Sequence, residues 1–129
     1  PPPRGAFNEF DPLPRKWTNR KKIGCAPAGL ALGPFQRTMT SCGTALDARN
    51  GTILATATLS AGDEIWFNPG DNRYYFGNAN VGVIDAETNQ FLGYITDSGG
   101  HTLAVDSNNN NIFVPVTGVG VKVFAPIRK

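Results

Sequence analysis

The sequence predicts an all-β protein, built from about three similar four-stranded units behind an irregular N-terminal arm. Three observations lead there. The 129 residues include 15 Gly and 10 Pro, a density of chain-breaking residues that favours short strands and many turns over helices. The apolar runs are brief, rich in β-branched and aromatic residues, and bounded by Gly, Asn, Asp and Pro; they lack the 3.6-residue spacing of helices. Finally, one pattern recurs three times along the chain.

The arm comes first, at residues 1–22. It carries six basic residues (Arg4, Arg15, Lys16, Arg20, Lys21, Lys22) against Glu9 and Asp11, a net +4 within a chain of net +2. The remaining residues are therefore slightly acidic. A basic segment can attract an acidic partner, but nucleic-acid binding wants a basic face interleaved with aromatics in the folded part, so no nucleic acid is expected. The chain opens on Pro1 rather than Met, which reads as a processed or truncated product. No apolar run approaches the roughly 18 residues of a membrane helix, so no membrane span is expected.

The repeat domain follows at 23–129, with units at about 23–60, 61–98 and 99–127. "GLALGPFQR" from Gly29 aligns with "EIWFNPGDNR" from Glu64 and "TLAVDSNNNN" from Thr102. Each is an inner strand and a turn. Second strands follow as "TMTSC", "YYFGNA" and "IFVPV". "TALDARNGTILATATL" and "VGVIDAETNQFLGYI" then supply a third strand, Asp-Ala, a polar turn and a fourth strand; the last unit ends in "GVGVKVFAPI". Leu30 to Ile65 is 35 residues, and Ile65 to Leu103 is 38. Four strands in roughly 40 residues is the period of a β-propeller blade. Small and apolar residues on both faces of "ILATATL" and "TLAVD" suit strands covered on both sides. Asn50-Gly51 is expected to form a two-residue type I′ turn with φ > 0 at both positions. Asp47 and Asp85 begin equivalent turns, where a carboxylate accepts backbone N–H groups. "DSNNNN" (Asp106–Asn111) lacks the Gly and Glu of a calcium loop and reads as an inter-strand turn.

"VGVIDAETNQFLGYI" and "GVGVKVFAPI" resemble blades of the YVTN-type propellers. "APAGLALGP" and "HTLAVDSNNNNIFV" resemble the senescence-marker-protein/gluconolactonase-like group. The resemblance spans about residues 23–127 and implies a partial propeller. Catalytic members of the lactonase group hold a metal, such as calcium, on Glu and Asn or Asp residues at the central channel. Asp63, Glu64, Asn78 and Asn80 are the residue types present here, without the full set of surrounding motifs.

Propeller function gathers on the loops that lead into the innermost strands: Ala26-Pro27-Ala28, Gly62-Asp63-Glu64 and Gly99-Gly100-His101. His101 is the single histidine. With Asp63 and Glu64 one blade away it is a candidate metal ligand or general base; the competing reading is a rim histidine that hydrogen-bonds and packs. Trp66 and Tyr74 are candidate sugar platforms, set against a role of Trp66, Phe67, Tyr74, Tyr75 and Phe76 in filling space between blades. Cys25 and Cys42 flank the first hairpin, whose turn centres near Pro34-Phe35, and stand nearly opposite one another. A disulfide there would staple the first blade and imply an oxidising, secreted or periplasmic setting; two buried thiols or a reactive pair are the alternatives. No cofactor is called for otherwise. Three blades leave two open apolar faces, which predicts a homo-oligomer or covering subunits. The function expected is a non-catalytic binding or assembly module. A metal-dependent lactonase-like hydrolase completed on assembly is the alternative, and a carbohydrate-binding propeller a second.

Overall fold

The computed structural model describes the backbone of residues 6–11 and 16–127, with side chains for Ala6 and residues 21–127. The arm is a β-hairpin rather than irregular: β1 (Ala6–Asp11) pairs antiparallel with β2 (Lys16–Lys22). Three further sheets follow in chain order. Blade 1 has β3 (Leu30–Leu32), β4 (Arg37–Thr40), β5 (Thr44–Asp47) and β6 (Ile53–Thr56). Blade 2 has β7 (Ile65–Asn68), β8 (Arg73–Phe76), β9 (Gly82–Asp85) and β10 (Phe91–Tyr94). Blade 3 has β11 (Ala104–Asp106), β12 (Asn111–Val116) and β13 (Gly120–Phe124). Each is an antiparallel meander with strands in sequence order. The third unit thus shows three strands among the described residues, not the four expected. The inner strand β7 lies against both β3 and β11, so the blades fan outward from neighbouring inner edges.

Side-chain size explains how the sheets meet. Cross-strand pairing sets Ala31, Met39, Ala45 and Ala55 in one row across blade 1. That row packs against Ile65, Phe67, Tyr74, Phe76, Ile84 and Phe91 of blade 2. Small residues on one sheet and large ones on the next let the faces interdigitate without voids. Gly82 belongs to the same logic, because a Cβ there would lie 2.0 Å from the Phe76 ring. The second interface sets Tyr75, Val81, Val83 and Ile95 against Leu103, Val105, Ile112, Val114 and Phe124. The aromatic run of blade 2 mainly fills space: Tyr74, Tyr75 and Phe76 are buried, and Trp66 is half exposed.

The turns share one design. Asp47, Asp85 and Asp106 each accept, on Oδ1, the N–H of the residue two positions on, at 2.9 Å. Each aspartate carbonyl also accepts the N–H four residues on, from Gly51, Asn89 and Asn110, at 2.7–2.8 Å. Those closing residues have φ of +74°, +61° and +62°, the left-handed region that Gly and Asn tolerate. Asn50-Gly51 is therefore not a two-residue I′ turn. The Asp47 carboxylate draws in the Arg49 N–H and lengthens the loop, so that Gly51 alone takes the positive φ.

Cys25 and Cys42 form a disulfide with a Cα–Cα distance of 6.1 Å. The two are less directly opposed than expected. Leu30 pairs with Thr40, so strand register would set residue 28 against 42, and the chain before Gly29 bends to bring Cys25 across. Ile23 and the two cysteines pack on Leu46. Thr44 and Thr40 lie against the two sulfurs at 3.3 and 3.4 Å, and with Leu46 they are buried on the side of blade 1 away from blade 2.

Candidate functional site

The lead-ins to β7 and β11 sit side by side. The β7–β8 ladder runs two residues beyond the strand: the Asp63 N–H donates to the Gly77 carbonyl at 2.7 Å, and the Gly77 N–H donates to the Glu64 carbonyl at 2.8 Å. This fixes both acidic residues on a rigid sheet margin. Gly77 has no side chain, and a Cβ there would stand 2.1 Å from the His101 carbonyl oxygen. Blade 3 can therefore bring its own lead-in directly alongside. His101 Nδ1 lies 2.7 Å from Asp63 Oδ2, and the Thr102 hydroxyl donates to the Glu64 carboxylate.

Each partner is the other's structural equivalent. Register through Phe67–Tyr74 and Val105–Ile112 places Asp63 with His101 and Glu64 with Thr102. The triplets at equivalent positions are Pro27-Ala28-Gly29, Gly62-Asp63-Glu64 and Gly100-His101-Thr102, shifted by one residue from the sequence expectation in blades 1 and 3. In blade 1 the matching position is Gly29, whose missing Cβ admits the Asp63 carbonyl, at 2.5 Å from where that atom would stand. Blade 1 contributes no functional side chain there.

The remaining candidates are occupied elsewhere. The Asn78 side-chain amide donates to the Ser60 and Ala61 carbonyls at 3.1 and 3.2 Å, tying down the link between blades 1 and 2. It lines a cleft with Ser60, Asn80 and Tyr94, whereas His101 and Thr102 line another with Pro115 and Val121. Asn80 accepts from the Ser98 N–H at 3.0 Å. Among the described residues, no group of three or more His, Cys, Asp or Glu side chains is placed to hold a metal. The Asp63 and His101 side chains are 54% and 88% exposed, so water competes for both. A carboxylate beside an imidazole can pass a proton or supply two metal ligands; a complete oxygen-rich site needs several more.

Trp66 and Tyr74 form no common platform. Trp66 pairs with Tyr75 and Phe67 with Tyr74, so Trp66 and Tyr74 point to opposite faces of the sheet. Tyr74 is wholly buried; that burial pushes its hydroxyl up to about 12.

One feature went unforeseen. Asn68, Asp71, Tyr75 and Asn110 form a network between blades 2 and 3. In it the Asn68 amide donates to Asp71 Oδ1 at 2.9 Å and to Asn110 Oδ1 at 3.0 Å. The Tyr75 hydroxyl donates to Asp71. Burial first, then the Asp71 carboxylate, push the Tyr75 hydroxyl well above its ordinary range. The open apolar face expected of an end blade is found on the outward side of blade 3, where pairing groups Ala104 with Phe113 and Val123, and Pro115 with Val121. Val121 and Val123 are 63% and 54% exposed. Alternation along "IFVPV" and "VKVF" carried the signal for this face.

Meanders fanned from adjacent inner strands and packed face to face define a β-propeller-type repeat protein. No family model matches the chain, and no curated protein sequence matches it. Among solved structures, the chain is similar to hydrazine synthase of Kuenenia stuttgartiensis. The TM-score is 0.72 at 13% identity, over 94% of this chain and 40% of that one. The chain thus spans well under half the length of that relative, and at such identity the likeness is one of fold.

Proposed function

We propose that the chain is a non-catalytic β-propeller-type binding or assembly module that works by burying its open blade face against another copy or another chain. One observation carries this reading. The outward face of blade 3 is apolar over Ala104, Phe113, Pro115, Val121 and Val123, with one charge, Asp106, at its margin, where the carboxylate accepts turn N–H groups. Its counterpart in blade 1, the row of Ala31, Met39, Ala45 and Ala55, is packed under the next blade. An apolar sheet face of that kind marks an interaction surface. The disulfide supports a secreted or periplasmic setting, and no helix among the described residues is long and apolar enough to cross a membrane.

Light scattering tests the reading. The native chain is expected above its 13.8 kDa monomer mass, and a Val121→Glu/Val123→Glu variant at that mass. A native chain that stays monomeric at every concentration, or a double variant that keeps the native mass, overturns self-assembly through this face.

The Asp63–His101 pair favours a second reading, a lactonase-like hydrolase completed on assembly. Asp63, Glu64, Asn78 and His101 would then gather around a divalent metal such as calcium, which would polarise an ester carbonyl and activate water. Stoichiometric metal in the assembled species, with turnover lost in His101→Ala, would bring this reading forward. Metal-free protein without turnover removes it.

A further inference from the structure

We propose that the outer edge of β13 accepts an extended strand from a second polypeptide, with an aromatic or branched aliphatic residue of that strand entering the cleft beside Phe124. The proposal rests on the module reading and names the chemistry of its partner.

The internal repeat supplies the template. Phe124 stands opposite Ile112, as Leu46 stands opposite Thr38 and Ile84 opposite Tyr74. The strand β13 is therefore the counterpart of β5 and β9. Those two are interior rungs, covered by β6 and β10, whereas among the described residues β13 ends its sheet. All four residues of β5 are buried, while Val121 and Val123 on β13 are more than half exposed.

The space left over has the right form. A cleft of about 240 Å3 lies beside Phe124, walled by Val83, Ile95 and Ile112, with Arg73 and Tyr75 among its polar groups. That is below the roughly 300–1,000 Å3 of a small-molecule pocket, and closer to a side chain than to a cofactor. In blade 2 the equivalent position beside Ile84 is held by Phe91 of β10, whose ring lies 6.1 Å from Phe76 and 5.0 Å from Tyr94. Lys122, a charge of the kind that often guards an edge strand, is drawn away from the edge: its ammonium donates to the Asp97 carbonyl at 2.8 Å.

Among the described residues, blade 3 carries no such strand. Asp47 and Asp85 open the turns that return the backbone as β6 and β10. Ala125 occupies that position in blade 3, followed by Pro126, so both the carboxylate acceptor and a backbone N–H donor are missing. A second copy offers no free strand of the required kind among its described residues. Its Ile53-Leu54-Ala55-Thr56 and Phe91-Leu92-Gly93-Tyr94 are paired within their own blades, and β1 is paired with β2. Those two segments do define what would fit: a branched or aromatic residue, Leu, a small residue, then Thr or Tyr. Main-chain bonds along β13 would give affinity, and the cleft beside Phe124 would give selectivity.

The test uses the intact chain and a synthetic peptide of residues 88–96, TNQFLGYIT. The expected result is saturable binding of one peptide per chain, with amide hydrogen exchange slowed at Val121 and Val123, whose N–H groups share the outer edge. A peptide carrying Phe91→Ala should bind roughly tenfold or more weakly. No saturation by about 1 mM peptide, equal binding of the Phe91→Ala peptide, or slowed exchange on β9 instead of β13 each overturns the proposal. The two readings fail separately. Self-association of the chain without peptide binding sinks strand acceptance alone, and peptide binding by a chain that never self-associates removes the homo-oligomer and leaves the strand partner.

Discussion

Removing the disulfide puts a number on how blade 1 is held. Cys25 and Cys42 are 17 residues apart and enclose β3 and β4. Closing a loop of that length lowers the entropy of the unfolded chain enough to stabilise the fold by roughly 3 kcal/mol. Against a typical domain stability of about 5–15 kcal/mol, that is a large share. A Cys25→Ala/Cys42→Ala variant, unfolded in urea and followed by far-ultraviolet circular dichroism, should lose this amount. With m-values of about 1–3 kcal/mol/M, the midpoint should fall by roughly 1–3 M. The slope should rise slightly, because the unlinked unfolded chain exposes more surface. Native protein treated with a reductant should track the variant, which separates the covalent link from the packing of the two side chains on Leu46. A midpoint shift under about 0.3 M at unchanged slope would refute the staple.

Two further predictions concern local chemistry. A Cβ on Gly33 would stand 1.8 Å from the Tyr74 hydroxyl, so Gly33→Ala should cost about 1–3 kcal/mol. Tyr74→Phe, which removes a buried hydroxyl without a hydrogen-bond partner, should be nearly neutral alone and should recover only part of the Gly33→Ala loss in denaturant melts, because the ring Cζ and Cε1 would still lie 2.5 and 2.9 Å from the added Cβ; fully additive losses would contradict the clash. The Asp47 carboxyl is held down at about 2, first by the Arg49 guanidinium and then by the Arg49 backbone N–H. A depressed carboxylate lends stability that is full above its unfolded value near 4 and is lost as pH falls toward 2. Carbon-detected NMR titration should find the native midpoint near 2 and a higher one in Arg49→Ala; an unmoved midpoint would disprove the assignment.

Much of this was written in the sequence, for identifiable reasons. Leu30, Ile65 and Leu103 align because inner strands must repeat their apolar residues wherever blades stack. That equivalence also brought Asp63 and His101 within one blade of each other, and they form a pair. The one-residue error in the lead-ins of blades 1 and 3 arose because unequal spacing and the Gly99-Gly100 pair hide register from a pattern search; only the ladder from Gly77 to Glu64 sets it. Opposed faces for Trp66 and Tyr74 follow from the two-residue period of a strand and could have been read directly. So could the turn chemistry that blade 3 lacks after β13, from Ala125-Pro126 where the other units carry Asp-Ala. The cover over Leu46 could not, since it depends on a bend before Gly29 that brings residues 23–25 across a sheet with no periodic relation to them.

The polarity of the stack has a consequence for how the chain comes apart. In a linear array each unit is held only by its neighbours, and loss begins at the least constrained end. Blade 1 is pinned by a covalent link, and blade 2 is clasped on both sides. Among the described residues, blade 3 is held along a single face. Fraying should therefore run from the carboxy-terminal unit inward, with Val121 to Phe124 the earliest segment to open and the strands around Tyr74 and Phe76 the last to exchange with solvent. A partner strand laid along β13 would act as a latch on this sequence of events, raising the resistance of the whole stack by securing its loosest member.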